Sequence, residues 1–129
     1  MKAALFSVFM LLGAPLFAHE GHDEAPGSVK AFHGGVVKIG HELNLEVVSS
    51  GGELKIYPLA HEGGDIPLSE VKLSAQAQPP KGKGFPLSLE QKDGAFYSKV
   101  DFKGAYRLNV ELKAEYKGKA DKIKVQVEQ

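Results

Sequence analysis

Tyr106-Arg107-Leu108-Asn109-Val110-Glu111-Leu112-Lys113-Ala114-Glu115-Tyr116 places an apolar or aromatic residue at every second position and a polar one between. A period of two belongs to an extended strand with one dry and one wet face, and it is incompatible with the 3.6-residue repeat of a helix. Lys117-Gly118-Lys119 then makes a turn, and Ile123, Val125 and Val127 repeat the alternation to the end of the chain. The C-terminal quarter therefore reads as a hairpin.

Working back towards the N-terminus, the same grammar recurs. Phe96 and Val100 point inward after Lys92-Asp93-Gly94, whose Asp-Gly pair suits a tight hairpin because both residues tolerate positive φ. Phe85, Leu87 and Leu89 form an inward set, and Pro79-Pro80-Lys81-Gly82-Lys83-Gly84 interrupts backbone pairing before it. Val71, Leu73, Ala75 and Ala77 alternate with Lys72, Ser74 and Gln76, while Ala60 to Pro67 reads as a loop. Leu54, Ile56 and Pro58 line one face of a strand that follows the turn Ser49-Ser50-Gly51-Gly52. Leu43, Leu45 and Val47 alternate with outward Asn44 and Glu46, and Val36-Val37-Lys38-Ile39 gives the first short strand. No stretch keeps a helical period. Seven or eight such strands over residues 33–129 predict an all-β, immunoglobulin-like antiparallel β-sandwich, whose two packed sheets supply the wet and dry faces that alternation demands. A closed barrel is the alternative arrangement.

Composition narrows the chemistry. At 129 residues, with 43% hydrophobic and 25% charged residues, the chain is one ordinary globular domain. Sixteen Lys+Arg balance sixteen Asp+Glu, so there is no net basic field of the kind that holds nucleic acid or an anionic membrane. The lysines at 113, 117, 119, 122 and 124 are interspersed with Glu111, Glu115, Asp121 and Glu128 and read as a solvated charged edge, as do Lys81 and Lys83. Cysteine is absent, which excludes disulfides, thiol catalysis, iron–sulfur sites and lipoprotein anchoring.

Met1-Lys2, the apolar run Ala3 to Phe17 and a small residue, Ala18, before an abruptly polar segment read as a secretory signal peptide over 1–18. The run is too short for a membrane span, so the processed chain is expected to be periplasmic and not membrane-spanning. Cleavage would leave it close to neutral. Both methionines, Met1 and Met10, would go with the signal, and the exported chain would have neither thiol nor thioether. Residues 19–32, HEGHDEAPGSVKAF, carry no apolar period and read as a flexible leader rich in His and acid.

All five histidines lie in the N-terminal half, at 19, 22, 33, 41 and 61, and Glu follows directly at 19, 41 and 61. Imidazole nitrogen is a good ligand for Zn²⁺, Cu²⁺, Ni²⁺ or Co²⁺, and a neighbouring carboxylate can complete the shell or orient the ring. His19 with a freed α-amino group, joined by His22, would chelate Cu²⁺. His33 precedes Gly34-Gly35 at the first strand, His41 opens the second, and His61 sits in the loop after the third beside Glu62 and Asp65, so pairing of these strands can gather a three-histidine site at one sheet end. Each histidine taken alone is more often a surface or turn residue than a ligand.

Phe32-His33-Gly34-Gly35-Val36-Val37, Leu43-Asn44-Leu45-Glu46-Val47-Val48, Gly51 to Tyr57 and His61-Glu62-Gly63 resemble the pattern of small periplasmic heavy-metal-resistance proteins. They are similar, too, to the His-rich N-terminal domain of heavy-metal efflux adaptor (membrane-fusion) subunits, leader included. The likeness spans residues 19–63, and Gly104 to Val110 resembles the penultimate strand of immunoglobulin-like periplasmic domains. What the resemblance implies is binding of a divalent cation near an export pump, with such an adaptor as a partner and His33 as its most specific residue. The chain lacks the helical hairpin by which the longer adaptors reach a pump, and it lacks the methionine clusters of cuprous-ion chaperones.

No enzyme is expected: there is no Gly-x-Ser-x-Gly elbow, no phosphate-binding glycine loop, and His41-Glu42-Leu43-Asn44-Leu45 has Leu45 where a metalloprotease places its second histidine. The sequence thus predicts histidine binding of Zn²⁺ or Cu²⁺, for buffering or delivery to an export system, weakening below about pH 6.5 as imidazole protonates. The reading of a different class is an envelope structural or protein-interaction sandwich with incidental histidines.

Overall fold

The computed structural model describes residues 30–129, and in it nine strands form two antiparallel sheets. The expected signal peptide, the leader up to residue 29, and His19 and His22 lie outside the described residues. The strands are β1 (Val36–Ile39), β2 (Asn44–Ser50), β3 (Glu53–Leu59), β4 (Val71–Gln78), β5 (Phe85–Leu87), β6 (Glu90–Lys92), β7 (Ala95–Lys99), β8 (Arg107–Tyr116) and β9 (Lys119–Glu128). One sheet runs in the order β1-β2-β3-β7-β6 and the other β5-β4-β8-β9. Among the described residues no helix is long and apolar enough to cross a membrane.

The β8–β9 hairpin bears out the alternation that defined it. Leu108, Val110, Leu112 and Ala114 are buried opposite Val127, Val125, Ile123 and Asp121, while the intervening residues of β9 are exposed. Its two-residue turn needs positive φ at both positions, which Lys117 (55°) and Gly118 (77°) supply; Asp93 (55°) and Gly94 (77°) do the same between β6 and β7. The core lies between the sheets. Leu43, Leu45, Val47, Leu54, Ile56 and Phe96 of the first meet Val71, Ala75, Ala77 and the inward residues of β8 and β9 from the second. Burial of such side chains is worth roughly 1.5–3 kcal/mol each, and with no disulfide this core alone holds the sandwich.

Three features depart from the sequence reading. Strand β6 is the additional strand: all three of its residues are exposed, so no apolar alternation marks it, and it exists because the Asp93-Gly94 turn folds it against β7. The segment between β3 and β4 is a loop as expected, yet it inserts Ile66 into the core and ends in a single 3-10 turn over Leu68–Glu70. The most consequential difference concerns β2. Asn44 and Glu46, expected to face water, are completely buried, and at Glu46 the chain preceding β1 turns back across that face.

Candidate functional site

Glu46 organises the segment that carries His33. Its Oε1 accepts a hydrogen bond from the Phe32 backbone N–H at 2.9 Å, and its Oε2 accepts from the N–H groups of His33 at 2.7 Å and Gly35 at 2.9 Å. A buried carboxylate left unpaired would cost several kcal/mol, whereas three donors satisfy it and pin the entering chain to the face of β2. Gly35 is required for that approach, since a Cβ there would run into the Val47 carbonyl.

Tyr57 of β3 stands in register with Glu46 of β2, so both side chains project from the same face of the sheet. The His33 ring lies flat on the Tyr57 ring, with centroids 3.6 Å apart and planes within 6°. Its Nε2 is 3.3 Å from Oδ1 of Asp65. Asp65 is itself placed by a bridge to Leu59 and by a tight loop in which the Ala60 N–H donates to the Gly64 carbonyl and the Gly63 N–H donates to the Ala60 carbonyl. His33 is thus fixed three times over: at its backbone by Glu46, at its ring face by Tyr57 and at Nε2 by Asp65.

His61 leaves the end of β3 and reaches the end of β1, where its Nε2 is 2.9 Å from the Gly40 carbonyl oxygen. A carbonyl and an ionised carboxylate only accept, so Nε2 is the donor in both contacts, and whenever the ring is neutral the lone pair is on Nδ1. No hydrogen bond engages Nδ1 of either ring among the described residues. Asn44 lies between the two strand ends that His61 joins, in register with Ile39 of β1 and Leu59 of β3. Its carboxamide is buried, and neither its oxygen nor its nitrogen has a partner among the described residues, an arrangement that costs on the order of 1–3 kcal/mol for each group.

His41 takes a different position. Its backbone N–H and that of Glu42 donate to Oδ1 and Oδ2 of buried Asp121, at 3.0 and 2.8 Å, tying this loop of the first sheet to β9 of the second. The exposed His41 side chain lines a cleft of about 410 Å³ with Ala120, Asp121 and Lys122, a cleft that neither His33 nor His61 lines. The structure therefore brings His33 to Tyr57 and Asp65, and His61 to the carbonyl of the residue just before His41. Among the described residues no group of three or more His, Asp or Glu side chains is arranged to hold a metal ion. Another cleft, about 570 Å³, lies elsewhere, lined by Gln76, Gln78, Asn109, Glu111 and Lys124 with no histidine among its walls.

Sequence reasoning missed the two buried carboxylates and Tyr57. Asp121 carried a legible signal, since it occupies the inward register of Ile123, Val125 and Val127, where a charged residue must find partners. Glu46 carried none: alternation assigns it to the wet face, and only the returning chain makes that face dry.

Comparison of the chain with protein-family models, with curated proteins and with solved structures finds no match.

Proposed function

We propose that the protein binds a divalent transition-metal ion, Zn²⁺ or Cu²⁺, through histidine at the β1–β3 end of the sandwich. The observation that carries this reading is His33, held at its backbone, ring face and Nε2, with no hydrogen bond at Nδ1 among the described residues. An imidazole that donates its other N–H to a carboxylate is locked in one tautomer and orientation and made a better ligand, which is how proteins support metal-bound histidines. His61 offers a second Nδ1 with its Nε2 held by a carbonyl, and its exposed side chain reorients at small cost. His19 and His22 are further donors whose recruitment would complete the shell of an ion anchored on His33, while His41, in its separate cleft, would be a donor apart from it. In this reading the protein is exported, buffers the ion in the periplasm and passes it to a heavy-metal export system through an adaptor subunit.

Calorimetric titration of the processed protein with Zn²⁺ and Cu²⁺ at pH 7.5 tests the proposal. His33→Ala is expected to remove the tightest site, Asp65→Asn to weaken it roughly ten-fold, and His19→Ala/His22→Ala to leave it in place. Unchanged uptake in the His33→Ala/His41→Ala/His61→Ala variant would refute it and favour the interaction module with incidental histidines.

A further inference from the structure

A second cluster lies apart from the histidines. The loop after β4 and the loop before β8 face each other across a cleft of about 440 Å³ whose charged walls are Lys81, Lys83 and Lys103, with Tyr106 at the rim. No acidic residue lines it, and none of the three lysines takes part in an ion pair among the described residues. Asp101, close to Lys103 in sequence, has Oδ1 engaged by the Lys103 backbone N–H at 2.8 Å.

Both loops are fastened in place. Gln78 donates from Nε2 to the Gly82 carbonyl at 2.6 Å, and the space a Cβ on Gly84 would need is already filled by the same carboxamide. On the other side, the Ala105 N–H donates to the carbonyl of buried Phe102 at 2.8 Å, and Lys103 Nζ sits 4.7 Å above the Phe85 ring. Three lysines on braced loops line one concavity, so an incoming anion meets their positive charge without the loops first having to be ordered. The chain as a whole is neutral, so the concentration of charge is local. Among the described residues Tyr106 is the most exposed of the large apolar side chains, at 67%. An aromatic ring left in water at the mouth of a cationic cleft suits a ligand with an apolar flank beside its charges.

We infer that this cleft binds a multivalent anion, a molecule or chain carrying two or more closely spaced phosphate or carboxylate groups. Lys81, Lys83 and Lys103 neutralise the charges, and Tyr106 covers the adjoining apolar surface. The sequence reading of Lys81 and Lys83 as merely solvated lacked the third lysine, which the fold delivers from a segment twenty residues further along.

The chain has no tryptophan, so tyrosine fluorescence of the full protein, cross-checked by calorimetry, reports binding. The probes are inorganic tripolyphosphate and an oligogalacturonate, with maltotriose as the uncharged control. Saturable binding of either anion and none of maltotriose is expected, the better anion identifying phosphate or carboxylate as the source of charge. Affinity should fall steeply with added salt, and about ten-fold or more in Lys81→Gln/Lys83→Gln/Lys103→Gln. A charge-matched control, Lys113→Gln/Lys119→Gln/Lys122→Gln, removes three lysines from the β8–β9 hairpin and should bind like the parent. Absence of saturable binding by both anions, or equal losses in the two triple variants, would overturn the inference. The variant Lys81→Gln/Lys83→Gln leaves the Lys103–Phe85 contact intact; full retention of binding in it would overturn the inference as well.

Discussion

The buried carboxylate of Glu46 is the residue on which the candidate site turns, since two hydrogen bonds to one of its oxygens and one to the other hold the chain that presents His33. Glu46→Gln keeps the shape but sets an amide N–H₂ against backbone donors. Urea denaturation should show a loss of about 2–3 kcal/mol, and Zn²⁺ affinity should fall with it as the His33 backbone loosens. A second titratable group makes a separate prediction. A hydrogen bond to the Glu53 carboxylate, then burial, then the charges of Glu53 and Glu90 hold the Tyr97 phenol above its ordinary value. Since the folded state favours the neutral phenol, this contribution to stability is complete below about pH 10, where the unfolded phenol is still protonated, and is lost as pH rises through the folded pKa. Absorbance titration should find the Tyr97 phenol ionising at lower pH in Glu53→Gln than in the parent. Legibility at this scale depended on register: Asp121 sits among inward apolar residues and could be read as a buried anchor, whereas Glu46 alternates as an outward residue should and becomes buried only through a contact eleven to fourteen residues away.

Strands and turns were the most legible part of the chain, because a period of two and Asp-Gly or Lys-Gly turns are local signals that packing did not have to correct. The β8–β9 hairpin pairs from Arg107 opposite Glu128 to Tyr116 opposite Lys119 without interruption. Where the reading failed, the element owed its existence to a neighbour. Strand β6 has no buried residue and is ordered by pairing to β7, and Ile66 enters the core from a segment with no strand pattern. The junction between the leader and β1 is the element on which the histidine site rests, and it tolerates no bulk at one position. Gly35→Ala forces a Cβ against the Val47 carbonyl and should destabilise by roughly 2 kcal/mol, while Gly64→Ala, with open space around it, should stay within about 0.5 kcal/mol of the parent. Equal effects from the two in thermal or chemical denaturation would show that the leader junction is not held as closely as the Glu46 geometry demands.

At the scale of the whole molecule, two sheets without a disulfide form a scaffold whose chemistry sits on the loops at its ends and edges. Buried carboxylates fasten two of those loops, Glu46 the one bearing His33 and Asp121 the one bearing His41. The clustering of histidine in the N-terminal half was legible as composition. What the sequence did not contain was orientation: that His33 rests on Tyr57 and is aimed by Asp65, that His61 spans the strand ends, and that His41 opens into a different cleft. Those relations depend on pairings between residues up to 80 positions apart. The proposed function makes His33 a preset ligand through Nδ1, which no described residue engages, and long-range ¹H–¹⁵N correlation of the imidazole rings tests this most directly. Metal-free protein at pH 7.5 should show the Nε2–H tautomer at His33 and His61, and stoichiometric Zn²⁺ should shift the His33 Nδ1 resonance first. A His33 ring protonated at Nδ1, or Zn²⁺ that perturbs only His19 and His22, would contradict it.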